Sequence, residues 1–215
     1  METGMNTLDS RKFKNKEELR RAVWDYMEKN NLVTFPRPCF GRIPNFVGAE
    51  KATWNLKKLM EWQKARVIFS APDSVLHLAR YEALKEGKSL LVAAPRITGF
   101  YWLKDIPGNE AFRASTIRGF AQFGVPVSIN SSLPKIDLYL TGAVACDKRG
   151  NRIGKGSGFG DREDDILSKA GLIDETTPRV VLVHEIQVFE DFSYLVDEWD
   201  KKISIIVTPE GVYKI

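Results

Sequence analysis

Leu19, Val23, Trp24 and Met27 recur at helical spacing with charged residues between them, which predicts an amphipathic helix over about residues 16–30. The next stretch carries Pro36, Pro38, Gly41, Pro44 and Gly48, which together exclude a continuous helix and predict an ordered or semi-ordered excursion. A second helix follows, with Ala52, Leu56, Leu59 and Met60 expected on one face. The pattern then changes to short apolar runs at residues 66–70, 89–93, 136–140, 179–183 and 203–207. Helical stretches lie between several of them, one starting near the Asp73-Ser74 cap and one after Asp161. Such runs suit strands buried on both faces of a parallel sheet. The chain therefore reads as an α/β protein, a three-layer α/β/α fold with a mostly parallel sheet. Residues 100–134 are less patterned, because their aromatics and glycines suit both loops and short strands.

Composition narrows the picture. A chain of 215 residues with 43% hydrophobic residues can bury one core of good size and is short for two independent ones. One domain over residues 15–215 is expected, preceded by a poorly ordered leader at residues 1–14. The longest apolar runs are too short to span a bilayer and the start lacks an apolar signal region, so a cytoplasmic location without a membrane partner is expected. Cys39 and Cys146 stand apart, which fits two structural thiols rather than a metal cluster or a disulfide framework. His77 and His184 likewise have no clustered ligands beside them and read as structural histidines. The net charge of +4 suits an anionic partner, but lysines and arginines are interspersed with acids and form no nucleic-acid tail.

The densest chemical signal runs from Arg152 through Gly154, Lys155, Gly156, Ser157, Gly158, Phe159, Gly160 and Asp161 to Arg162, between a strand-like region and an amphipathic helix. Glycines at alternate positions let backbone amides converge on a bulky anion, and the helix N-terminus would add its dipole. Lys155 would add a point charge. The spacing is neither a P-loop nor a Rossmann fingerprint. Asp161 suits a magnesium ion or a helix cap; Arg162 suits a bidentate phosphate clamp or a bracing salt bridge.

These residues, with Ile136-Asp137 upstream and Gly150 before Arg152, resemble the signature of the 5-formyltetrahydrofolate cyclo-ligase (5,10-methenyltetrahydrofolate synthetase) family. Lys16-x-x-Leu19-Arg20 is similar to that family's opening helix. Gly87-Lys88 leading to Pro95-Arg96, Gln187, and Thr208-Pro209 follow in matching order, so the resemblance spans nearly the whole chain. The proline-rich segment at residues 35–46 resembles the cyclo-ligase-like, synthetase-domain-containing branch. The resemblance implies a NagB/RpiA-like, Rossmann-related fold. It also implies an ATP- and Mg2+-dependent ligase that closes 5-formyltetrahydrofolate to 5,10-methenyltetrahydrofolate through a phosphorylated formyl oxygen. Carried over by position, Lys155 and Arg162 would be catalytic. Lys16, Arg20, Arg152, Gly154, Gly156, Ser157, Gly158, Phe159, Gly160 and Asp161 would bind ATP, with Asp161 also on the metal. Two departures stand out: Gly160 replaces the second of two aromatics, and Asp73-Ser74 stands where the family has a Glu-x-x-Thr element. The implied partner is a reduced folate or related pterin; the alternatives are an ATP-dependent relative with another small substrate, or a non-catalytic nucleotide- or RNA-binding protein.

Overall fold

A computed structural model describes residues 7–9 and 11–215. Helix α1 (Lys16–Lys29) is capped by Asn15, whose side chain accepts from the Glu18 amide, and buries Leu19, Val23, Trp24 and Met27 as their spacing requires. The proline-rich excursion follows, closed by a bridge between Val33 and Phe46. The expected second helix is two: α2 (Ala49–Lys57) and α3 (Met60–Lys64), separated by an extended Leu59. That break turns the helical register, so Met60 is exposed rather than on the apolar face, and Trp62 is buried in its place.

The remaining elements are β1 (Val67–Ser70), α4 (His77–Lys85), β2 (Ser89–Ala93), β3 (Phe100–Leu103), α5 (Ala111–Ala114), α6 (Ile117–Phe123), β4 (Val125–Val127), β5 (Leu138–Gly142), β6 (Ala145–Asp147), β7 (Arg152–Ile153), α7 (Phe159–Lys169), β8 (Arg179–Leu182), β9 (Val188–Phe189), β10 (Ile205–Val207) and β11 (Val212–Lys214). An eight-stranded sheet runs β11-β10-β8-β5-β1-β2-β3-β4, and β7-β6-β9 form a small second sheet. From β10 through β8, β5 and β1 to β2 the neighbours are parallel; β3, β4 and β11 add antiparallel edges. The unpatterned stretch at 100–134 thus holds two edge strands and two short helices.

The pleat sorts the core. Ile68, Leu90, Val92, Leu138, Leu140, Val180 and Leu182 join the cluster beneath α1, α2 and α4. Their alternate neighbours Phe69, Leu91, Ala93 and Tyr139 pack with Leu167 of α7 on the other face. Farther along that sheet, Val181 and Ile206 meet Cys146 and Val188 of the small sheet. Both cysteines are buried and free. Of the expected leader, residues 1–6 and 10 lie outside the described residues, whereas Leu8 and Phe13 are buried, Phe13 edge-on to Phe189.

Order along the sheet reverses at β1: β2 lies on one side and β5 on the other. An open α/β sheet forms a crevice at such a reversal, beyond the carboxyl ends of its strands.

Candidate functional site

A cleft of about 600 Å³ occupies that crevice. Its floor is made by residues 71–74 after β1 and by Thr141 and Gly142 ending β5. Arg96 after β2, the glycine loop and the start of α7 form its walls, with Lys16, Arg20, Pro36, Arg42, Ile43, Trp199 and Asp200. The expected binding residues from Arg152 to Arg162 all line this one space, together with Lys16 and Arg20.

The loop's conformation explains its glycines at two positions. Gly156 has φ of +107° and lies against the Arg20 guanidinium; Gly158 has φ of +71° and forms the N-cap of α7. Helix α7 starts at Phe159, two residues before Asp161, and no side chain caps it. Its first-turn amides therefore face the loop end available to an anion. Asp73 also fails to cap: its side chain makes no cap bond, a short 3-10 turn at Ser74–Leu76 precedes α4, and the carboxylate instead abuts Gly142.

Charge in the cleft falls into two sets. Arg42, Arg96, Lys155 and Arg162 make no ion pair among the described residues. Arg162 lies over the Phe159 ring, its Cζ 6.0 Å from the centroid. Arg96 sits at φ +60°, a backbone region that a long side chain seldom adopts. The second set is already engaged. Lys16 Nζ contacts Asp200 at 2.5 Å and Asp197 at 2.7 Å, and these partners outweigh burial to raise its pKa. Arg20 Nε donates to the Gly154 carbonyl at 2.7 Å, so the pair expected to point at phosphates partly braces the wall.

Arg152 is nearly buried and donates from Nη2 to Asp161 Oδ1 at 2.8 Å, while the Lys201 amide reaches the same oxygen at 3.3 Å. Burial works against its charge, but the Asp161 carboxylate beside it holds the guanidinium protonated. This ion pair accounts for Gly160. A Cβ there would lie 2.8 Å from Arg152 Nη2, and a guanidinium pinned by Asp161 has little room to give way. Gly160→Ala is expected to lower the unfolding free energy by about 1–3 kcal/mol, read from urea unfolding, because the added methyl overpacks a buried ion pair.

Two carboxyls sit deeper. Asp73 is half-buried, and desolvation raises its pKa against the pull of Lys155, Arg80 and Arg152. Glu163, buried at the first exit of α7 from the loop, is pushed up to about 8 by burial and by Asp73, Arg152 and Lys155 opposing in part. Its Oε2 has no hydrogen-bond partner. Nothing in the sequence sets Glu163 apart from an ordinary helix residue except its place five residues past the left-handed Gly158, on the cleft-lining side of α7. Among the described residues no group of three His, Cys, Asp or Glu side chains converges on a metal position. Asp161 therefore does not belong to a protein cage for a cation, and its Oδ1 already accepts from Arg152.

His184 is structural: its Nδ1 accepts from the Ile186 amide at 3.2 Å. No described helix is long and apolar enough to cross a membrane.

Comparison with known proteins gives a consistent set. Residues 12–209 match the profile described as the 5-formyltetrahydrofolate cyclo-ligase family. The methenyltetrahydrofolate synthase domain-containing protein of Mus musculus is 37% identical over 202 residues, covering 92% of this chain and 54% of its own length. Its Homo sapiens counterpart is 35% identical, with 92% and 52% covered. The chain thus spans about half the length of the curated relatives it matches. Among solved structures, the 5,10-methenyltetrahydrofolate synthetase of Aquifex aeolicus superposes with a TM-score of 0.56 at 21% identity, covering 93% of this chain and 92% of that one. That of Mycoplasma pneumoniae gives 0.53 at 16%, covering 90% and 98%. At these identities the structures establish the fold, a mixed α/β architecture around a large, mostly parallel sheet.

Proposed function

Because the chain belongs to the 5-formyltetrahydrofolate cyclo-ligase family, a family of ligases, we propose that it closes 5-formyltetrahydrofolate to 5,10-methenyltetrahydrofolate with conversion of ATP to ADP and phosphate. The observation that carries this reading is the set of cations without carboxylate partners, Arg42, Arg96, Lys155 and Arg162, around an uncapped helix start in one cleft. A triphosphate is the kind of ligand that such a set neutralises.

A formamide carbon is a poor electrophile and its oxygen a poor leaving group. Transfer of the γ-phosphoryl group to the formyl oxygen breaks the bond to ADP and corrects both faults. The N10 lone pair then bonds to the formyl carbon, the C–O bond breaks toward phosphate, and the N10 proton passes to the departing phosphate or water. The protein's work is to position reactants and offset charge. Lys155 and Arg162 would stand against the transferring phosphoryl group. The amides of Gly154, Gly156, Ser157, Gly158, Phe159 and Gly160 would hold the rest of the triphosphate. Lys16, Arg20 and Arg152 would keep the wall and the loop in place.

The residues do not form a magnesium site on their own. A magnesium ion fits here as one that arrives on the nucleotide phosphates and keeps most of its oxygen ligands from them and from water, with Asp161 as the protein carboxylate beside it. When bound, it would offset phosphate charge.

The test is an absorbance assay for the methenyl product from 5-formyltetrahydrofolate, ATP and magnesium. Lys155→Ala is expected to lower kcat/KM by about tenfold to a hundredfold while circular dichroism stays unchanged and the unfolding midpoint moves little, because Lys155 is exposed and, although its charge acts on Asp73 and Glu163, makes no hydrogen bond or ion pair among the described residues. Asp161→Ala should lose activity too, but with reduced stability, since it frees the buried Arg152. ATP turnover that folate does not stimulate would move the acceptor to another small molecule, a reading that Asp73-Ser74 and Gly160 would then account for.

A further inference from the structure

The rim of the cleft carries one large aromatic side chain that the fold holds in place without packing it. Trp199 lines the cleft and is 72% exposed. It makes no ring stacking or cation contact among the described residues. Its backbone is nevertheless fixed from several sides. Residues 197–200 form a tight turn in which the Asp200 amide donates to the Asp197 carbonyl at 3.1 Å and the Asp197 amide donates to Asp200 Oδ2 at 2.8 Å. Both carboxylates of that turn clasp Lys16 of α1, and the next amide, of Lys201, is held by Asp161.

An isolated exposed tryptophan needs no explanation on an ordinary surface. Here it differs from the other exposed aromatics, Phe35, Phe40, Trp54, Phe112, Tyr194 and Tyr213, because it alone among them borders the cleft. The turn around it is acidic, with Asp197, Glu198 and Asp200 set against the single charge of Lys16, so the anionic portion of a ligand is kept away from the indole. The cleft's unpaired cations therefore draw an anionic tail to the glycine loop, while the indole offers a flat apolar face beside them. An indole on a fixed backbone loses little freedom when a ring stacks on it.

The geometry points to Trp199 as a specificity-determining residue: its indole is the stacking face for a flat heteroaromatic ring whose anionic portion lies on the glycine loop. Two ring sources share this chemistry, the adenine of a nucleotide and the pterin of a reduced folate. The inference rests on the reading of the cleft as a nucleotide and pterin site, not on the cyclisation itself.

Calorimetric titration of wild type, Trp199→Phe and Trp199→Ala decides it, with ATP, 5-formyltetrahydrofolate and inorganic tripolyphosphate as separate ligands. The ring-free tripolyphosphate should bind all three proteins within about twofold. Trp199→Ala should weaken one ring-bearing ligand by about tenfold, and Trp199→Phe should recover most of that loss, as stacking on an aromatic face predicts. Loss confined to ATP assigns the ring to adenine; loss confined to 5-formyltetrahydrofolate assigns it to the pterin. Equal weakening of tripolyphosphate, no change for either ring-bearing ligand, or no binding of either by wild type would overturn the assignment. These are binding measurements, so they stand apart from the turnover assay: a protein that stacks ATP on Trp199 yet forms no methenyl product refutes the cyclo-ligase reading and leaves the stacking face intact.

Discussion

Replacing Arg80 with alanine is expected to lower the unfolding free energy by about 3–5 kcal/mol, from buried carbonyls left without a donor and the cavity behind the lost side chain. Arg80 is 1% exposed on α4. Its Nε donates to the Ser115 carbonyl at 2.9 Å, and its Nη1 donates to the carbonyls of Ala71 at 2.9 Å and Asp73 at 3.0 Å. The guanidinium also lies over Phe120 of α6, 5.3 Å from the ring centroid. One planar group thus ties the loop after β1 to the α5–α6 connection. Burial lowers its pKa to about 10, with Asp73 opposing the shift, so it stays charged at neutral pH. Alanine would leave buried carbonyls without a donor and a cavity between three elements. Arg80→Lys should recover less than half, because one ammonium cannot reproduce the fork that spans Ser115 and Ala71. The loop that Arg80 holds carries Asp73 to the cleft floor, so nucleotide or folate affinity should fall along with stability. Urea unfolding and ligand titration on the same variants test both; a stability loss under about 1 kcal/mol would mean that water replaces the guanidinium.

Arg80 also shows where sequence reading stops. The strands at 67–70, 89–93, 138–142 and 179–182 were legible because a strand covered on both faces must be apolar throughout, and few other segments of this chain are. Helix α1 was legible for the complementary reason, one apolar stripe among charges. The glycine loop stood out because alternate glycines are costly unless the backbone must approach something or turn left-handed, as at Gly156 and Gly158. What escaped were properties set by partners far along the chain. Lys16 looked free on a helix face, yet its acids come from residues 197 and 200. Arg80 carries no signal in the sequence, because its acceptors lie in two separate loops. Nothing local to Trp199 says whether its indole is packed; Trp62 is buried at 1% exposure and Trp199 is not. Met60 failed for a smaller reason, a break at Leu59 that shifts helical phase without a proline or glycine to announce it.

Glu163 gives the second large expected effect, with the opposite sign. Its carboxyl titrates at about 8 in the folded protein, raised from 4.5 first by burial and then by the neighbouring Asp73. Above pH 4.5 the unfolded chain releases this proton and the folded chain keeps it, so the folded state binds more protons and stability falls as pH rises. The fall begins near pH 4.5, continues at about 1.4 kcal/mol per pH unit, and ends once pH passes 8. At pH 7 the deficit is about 3 kcal/mol. Glu163→Gln removes the titration but keeps the shape; its amide would still lack one partner, at a cost of about 1 kcal/mol. The variant should therefore be slightly less stable than wild type at pH 5 and more stable by about 2 kcal/mol at pH 7, with the gap still wider at pH 8. Other titrating groups are common to both proteins, so the difference between their urea-unfolding free energies isolates this one. A difference that does not vary between pH 5 and 9 would show that Glu163 ionises in the fold with a partner. A difference that grows with pH would show that the cleft floor holds a protonated carboxyl at neutral pH, in a position where it can give a hydrogen bond to whatever enters.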